Sequence, residues 1–243
     1  MVILSIGMPR AGSGWFFNLT NDLLIASGFQ DVRKIRERYH LQRVLTEVNC
    51  NIGAFTLPRL SAVLIPSLFG NTFCVKAHAG PTDFTLRLVR SGTLLPTYIY
   101  RDPRDALLSA WEYGKRGVEQ GRPNAFSDIK DVDSASNFMI DYIHIWEKWM
   151  QCQQAFNCRY EDLLTSYQSQ IDQMLLFLKL NPDNERVKKV VDKFRPGVEE
   201  TGQKGLHFQK GKIGRFRHAL TREQVTLLNK TFGAYVNRMG YQI

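Results

Sequence analysis

Short apolar runs alternate with amphipathic stretches along most of the chain. VILSI (2–6) is apolar but for one serine and predicts a buried strand. Residues 15–27 place Phe16, Leu19 and Leu23 on one face of a helix, with Gly28 as its stop. TFCVKAH (72–78), PTYIYR (96–101) and FNCRY (156–160) read as three further strands. A helix follows from near Pro103, and EDLL (161–164) opens another. Residues 134–155 hold Phe138, Tyr142, Ile145 and Trp149 in helical register and predict a long helix. Thr221 and Gln224 form a capping box ahead of Val225, Leu228, Phe232 and Tyr235.

Strands alternating with helices predict an α/β fold, a mainly parallel sheet covered by helices on both faces. The 243 residues, 44% of them hydrophobic, suffice for one core, so residues 1–243 read as a single domain. In such sheets ligands bind beyond the carboxyl ends of the strands. Residues 116–134 and 195–217 read as long loops, which in compact domains tend to be functional lids.

Charge narrows the choice of partner. Lys and Arg number 32 against 23 acids, a net +9, which calls for an anionic partner. The bases lie beside glycines and strand ends rather than in a tail, favouring a small phosphorylated ligand over nucleic acid. No run of about 18 apolar residues suggests membrane insertion. The opening residues do not resemble a signal peptide, so the expectation is a cytoplasmic protein. Cys50, Cys74, Cys152 and Cys158 have no CxxC spacing and read as reduced thiols, with Cys74 buried in a strand.

The first strand runs directly into MPRAGSGW (8–15). A Gly12-Ser13-Gly14 turn before a helix lets backbone N–H groups converge on an anion at the positive end of the helix dipole. Arg10 adds a full charge and Ser13 a hydroxyl. Gly7 and Gly12 have Walker A separation, but Ser13-Gly14 stands where Lys-Ser/Thr is required, so the groups that hold Mg²⁺ and a γ-phosphate are missing. A plain glycine turn between strand and helix has the same local signature. Arg101 ends the third strand, and Ser109 lies eight residues on, about two helical turns, so both can grip one phosphate. Lys76 and His78, two apart at a strand end, face the same way and can enter one cleft.

Together these stretches resemble the sulfotransferase family that uses 3′-phosphoadenosine 5′-phosphosulfate (PAPS). The family's first loop (proline, a base, a small residue, glycine, hydroxyl residues, then Trp or Leu) is similar to Pro9-Arg10-Ala11-Gly12-Ser13-Gly14-Trp15. RDPRDALLS (101–109) matches its second signature. Its Lys-Thr-His resembles Lys76-Ala77-His78, and its Tyr-Glu-Asp-Leu is present at 160–163. Its late Arg-Lys-Gly loop resembles Gln209-Lys210-Gly211-Lys212-Ile213-Gly214-Arg215-Phe216, and the Phe-Thr before its last helix is echoed by Ala219-Leu220-Thr221. The matches run in family order from residue 7 to about 221.

The resemblance implies a P-loop nucleotide-kinase-like, three-layer architecture and metal-free transfer of a sulfuryl group from PAPS to a hydroxyl or amine of a small-molecule or carrier-linked acceptor. It implies that Arg10, Ala11, Gly12, Ser13, Gly14 and Trp15 hold the 5′ end and adenine, with Tyr160 at the adenine edge. Arg101 and Ser109 would hold the 3′-phosphate, with Lys210 and Gly211 closing over it. His78 would be the base, with Arg10 and Lys76 stabilising the leaving charge. The chain departs from the family at Arg10, where lysine is usual; at Gly14, which loses a hydroxyl; at Gln209, which replaces arginine; and at Arg215-Phe216, which replaces Asp-Trp. Two other readings stay open: a P-loop-like phosphotransferase requiring ATP–Mg²⁺, and a non-catalytic PAPS- or nucleotide-binding protein of the same fold. Binding of nucleic acid ranks last, since no aromatic-interleaved basic module is present.

Overall fold

The computed structural model describes residues 1–197 and 211–243. The chain opens with β1 (Val2–Gly7), α1 (Ser13–Ala26), α2 (Val32–Arg38), α3 (Leu57–Leu68), β2 (Phe73–Ala77) and α4 (Asp83–Arg90). It continues with β3 (Leu94–Tyr100), α5 (Pro103–Glu119), α6 (Val132–Met150), β4 (Phe156–Arg159), α7 (Tyr160–Thr165) and α8 (Tyr167–Phe177). After α9 (Glu185–Lys193) come the short α10 (Phe216–Ala219) and α11 (Arg222–Arg238).

The four strands form one parallel sheet in the order β2-β1-β3-β4. Every residue of β1 and β2 is buried, so helices cover both faces of the sheet, as unbroken apolar strand sequences require. The register sets Ser5 beside Lys76 on one side of β1 and beside Thr97 on the other, so the three strands end together. The carboxyl ends of β2, β1 and β3 therefore open onto one edge. α1 packs on β1, β2 and α9, while α5 packs on α6, α10 and α11.

Several helix ends follow the local chemistry. Asp102 caps α5 by accepting from the Arg104 amide at 3.0 Å, with Pro103 as the first helical residue. The capping box of Thr221 and Gln224 forms as expected. The expected helix over 134–155 instead spans Val132–Met150, because Asp131 and Ser134 make a capping box one turn earlier. The expected loop over 116–134 is shorter too, since α5 continues to Glu119. Gly114 and Gly117 make that possible: a Cβ there would lie 2.0 Å from the Phe126 carbonyl oxygen and 2.2 Å from Asn124 Nδ2. The glycines let the returning 120–131 segment press against the helix. Much of the expected loop over 195–217 lies outside the described residues.

All four cysteines are buried free thiols, and desolvation pushes the Cys74 thiol well above its ordinary range. Among the described residues no helix is long and apolar enough to cross a membrane. The basic run RKIRER is α2: Arg33 donates to Asn18 at 2.7 Å and Arg36 to the Leu45 carbonyl at 2.8 Å, while Lys34 and Arg38 are exposed.

Candidate active site

The turn after β1 is built by steric necessity. The Met8 amide donates to the Ile99 carbonyl at 2.9 Å, tying the turn to β3. A Cβ on Gly7 would lie 2.7 Å from Ile99 Cγ2 and 2.8 Å from Ser13 Cβ. Gly12 has φ +76° and precedes the first residue of α1; a Cβ there would lie 2.6 Å from the Tyr160 ring. Only glycine fits either place, so the turn is a close-packed cradle and not an open bend. The N-cap of α1 is Gly12, which brings no side chain to the amides of the first turn.

Arg10 stands at φ +63°, a left-handed conformation that non-glycine residues seldom adopt without cause. Its Nε donates to Ser109 Oγ at 3.2 Å, and its guanidinium lies over the Tyr113 ring, 4.4 Å from the centroid. Desolvation lowers its pKa; Tyr113 opposes that shift, and Arg116 and Arg101 add to it.

At the end of β2, Lys76 is only 7% exposed. Burial, with Arg10 adding repulsion, lowers its pKa to about 8. His78 follows, with Nδ1 2.6 Å from the Gly7 carbonyl oxygen. A carbonyl can only accept, so Nδ1 carries the proton and Nε2 is the basic nitrogen. Desolvation, then Lys76, lowers the imidazole pKa to about 4, against the pull of the Gly7 carbonyl. His78 is thus neutral at physiological pH.

At the end of β3, Arg101 is 7% exposed and its guanidinium lies 4.6 Å from the centre of the Tyr160 ring. Its Nη2 donates to Asp105 Oδ2 at 3.2 Å and to the Lys212 carbonyl at 2.8 Å. Its Nε is buried without a hydrogen-bond partner among the described residues. Asp105 Oδ2 also accepts from the Gly214 amide (2.7 Å), and Oδ1 from the Phe216 amide (3.0 Å). One buried carboxylate thus fixes both Arg101 and the 212–216 segment. Arg215 pairs with Glu112 at 2.6 Å.

The sheet edge therefore gathers Arg10, Lys76, His78, Arg101 and Ser109, as the strand-end rule anticipates, although Ser109 contacts Arg10 and not Arg101 in this conformation. Ala11 and Ser13 are buried in the turn, and Gly14 is partly exposed with its carbonyl taken by Asn18 Nδ2 at 2.9 Å. Trp15 packs edge-on to Tyr160 and parallel to Tyr167, and its indole N–H donates to the Phe194 carbonyl at 3.2 Å. Gly211 lies beside Lys212, whose carbonyl Arg101 holds; Lys210 and Gln209 lie outside the described residues. From Tyr113, which lies under Arg10, an aromatic series continues: Tyr113 meets Phe126, which meets Phe138, which meets Tyr142, at centroid distances of 5.0–5.8 Å. Tyr39 does not join them: its hydroxyl accepts from Asn71, just before β2, at the opposite edge of the sheet. The anchoring role of Asp105 was not read from the sequence. The signal available was its position four residues after Arg101, one helical turn away.

Comparison with known proteins adds to this geometry. The family described as the sulfotransferase domain matches residues 95–240. No curated protein matches the sequence. Among solved structures the chain is similar to retinol dehydratase, crystallised with androsterone and the inactive cofactor PAP, at TM-score 0.58 and 15% identity, covering 97% of this chain and 80% of that one. It is similar to mouse sulfotransferase SULT7A1 complexed with PAP at TM-score 0.59 and 13% identity, covering 97% and 84%. An Arabidopsis thaliana putative steroid sulphotransferase matches at TM-score 0.56 and 16% identity, covering 100% and 78%. At these identities the likeness establishes the fold.

Proposed function

We propose that this chain, which belongs to the sulfotransferase domain family, moves a sulfuryl group from PAPS to a hydroxyl or amine of a small-molecule acceptor. The residues fit that cofactor. The turn between β1 and α1 needs glycine at Gly7 and Gly12, where a Cβ would collide with Ile99, Ser13 or Tyr160, and Arg101 Nε is a buried donor without a partner among the described residues. PAP in two of the similar structures supports the choice of nucleotide. Bound PAPS supplies the sulfuryl group, and its bisphosphate is the leaving group.

The observation that carries the catalytic reading is the commitment of His78 Nδ1 to the Gly7 carbonyl. It ties the imidazole to the phosphate cradle and leaves Nε2 to take the acceptor's proton. Depressed basicity keeps this nitrogen unprotonated at neutral pH. An anion beside Lys76 offsets the repulsion and raises the proton affinity of the imidazole where it is needed. Arg10 and Lys76 would stabilise negative charge on the leaving phosphate, in a desolvated setting that strengthens their effect. The backbone amides opening α1 and the Ser13 hydroxyl assist them. Arg101, Tyr160 and Ser109 would hold the 3′-phosphoadenosine end. The aromatic series Tyr113, Phe126, Phe138 and Tyr142 offers an apolar wall for the acceptor.

The test has two stages. PAP without metal should raise the melting temperature, and ATP–Mg²⁺ should not; the reverse result favours a phosphotransferase. His78→Ala should then cut labelled-sulfate transfer by about 10²–10⁴-fold with PAP affinity nearly intact. PAP binding with no transfer to any acceptor by the unmodified protein would identify a non-catalytic binding protein.

A further inference from the structure

Arg101 and Tyr160, the two residues assigned to the 3′-phosphoadenosine end, are each followed in sequence by a buried acid, Asp102 and Glu161. In front, the guanidinium lies on the phenol ring. Behind, the Asp102 amide donates to Glu161 Oε1 at 3.2 Å, joining the β3–α5 turn to the start of α7. Glu161 is 4% exposed, and its other oxygen accepts from the Tyr241 hydroxyl at 2.7 Å. Tyr241 belongs to the segment that follows α11, and that segment is held at two more points. The Gln242 carbonyl accepts from Arg104 Nη2 at 2.6 Å, and the Gly240 carbonyl from Arg159 Nη1 at 3.2 Å. Arg104 also forks Asp102, with Nε on Oδ1 at 3.0 Å and Nη2 on Oδ2 at 2.7 Å. Arg159 lies over the Tyr241 ring, 4.8 Å from its centre.

A buried carboxylate is a poor way to gain stability, because an apolar pair of equal volume avoids the desolvation cost. What it adds is direction: two oxygens accept from two donors on separate parts of the chain. Glu161 lies one residue from Tyr160, and its donor amide lies one residue from Arg101. A shift of Glu161 therefore alters the spacing of the guanidinium and the ring in front of it.

We propose that Tyr241 is a positioning residue for the nucleotide: through Glu161 it sets how Arg101 and Tyr160 face one another, making the segment after α11 part of the site's framework. The proposal rests on the PAPS reading above. Tyr241→Phe keeps the ring on Arg159 and removes only the hydroxyl. It should weaken PAP binding about 3- to 10-fold by calorimetry, a fraction of what one buried hydrogen bond to a charged group is worth. It should raise KM for PAPS correspondingly and leave kcat and KM for the acceptor within about twofold. Glu161→Gln is the conservative control, since its amide can still accept from Asp102 and donate to the phenol oxygen; it should bind PAP more tightly than Tyr241→Phe. A lower melting temperature with unchanged PAP affinity and KM in Tyr241→Phe would overturn the proposal and leave the function standing. Failure of the unmodified protein to bind PAP would overturn both. If Tyr241→Phe does not fold, Glu161→Ala takes its place: weakened PAP binding with kcat within about twofold supports the proposal, and unchanged PAP affinity refutes it.

Discussion

Replacing Lys76 with methionine should stabilise the free protein while disabling it. Lys76 is buried beside Arg10, and its pKa falls from 10.5 to about 8. The folded state therefore holds the ammonium ion more weakly than the unfolded chain does. Each pH unit of that lowering is worth about 1.4 kcal/mol, so the protonated side chain costs the fold about 3 kcal/mol. The sign follows from proton counts. Below about pH 8 both states are protonated and the cost is present in full. Between about 8 and 10.5 the unfolded state binds more protons, so stability rises with pH. Above 10.5 the cost is gone. Methionine has a similar shape and no charge, so Lys76→Met should gain up to about 3 kcal/mol at pH 7, or about 6–10 °C in melting temperature for a chain of this size. The advantage should fade as the pH approaches 10.5. The assay is thermal melting of both proteins from pH 6 to 10.5, with and without PAP. Bound PAP should stabilise the unmodified protein far more than the variant, because the nucleotide supplies a counter-charge that Lys76 lacks among the described residues. Equal melting temperatures at pH 7, or a difference independent of pH, would refute the reasoning and mean that the ammonium group is solvated or paired.

Three further outcomes follow from the same geometry. The pH profile of kcat/KM should keep its acid limb near pH 4 rather than near 6.5, because burial and Lys76 hold His78 neutral down to that range, and activity should fall on the alkaline side as Lys76 deprotonates near pH 8; an acid limb above 6 would contradict the burial of His78. Gly12→Ala combines about 1–2 kcal/mol for a left-handed alanine with about 1–3 kcal/mol for displacing the Tyr160 ring, so denaturant unfolding should show a loss of about 2–5 kcal/mol, together with weaker PAP binding. Asp105→Ala strands Arg101 and the amides of Gly214 and Phe216; hydrogen exchange at those two amides should quicken markedly, PAP affinity should fall, and unchanged protection would show that the 212–216 segment is held by something else.

Much of this protein was legible in its sequence because local rules governed those parts. The four strands are apolar runs too short for helices, and each lies where periodicity put it. Glycines at 7 and 12 before a helix announced a tight turn there, and their spacing from Arg10 is fixed by the chain itself. Arg101, Lys76 and His78 could be placed at strand ends because a parallel sheet sends its ligands there. The helix boundaries at Val132 and Glu119 escaped, since they depend on which of two caps forms and on how closely 120–131 can press against Gly114. Tertiary structure alone decided the partners. That Ser109 would meet Arg10, that Asp105 would hold the 212–216 segment, and that Tyr241 would reach Glu161 from eighty residues away are facts of packing. Hydrogen bonds act over about 3 Å, whereas sequence periodicity reports only which face of an element is apolar. Two distant polar residues leave no mark of their pairing along the chain until the sheet register brings their elements together.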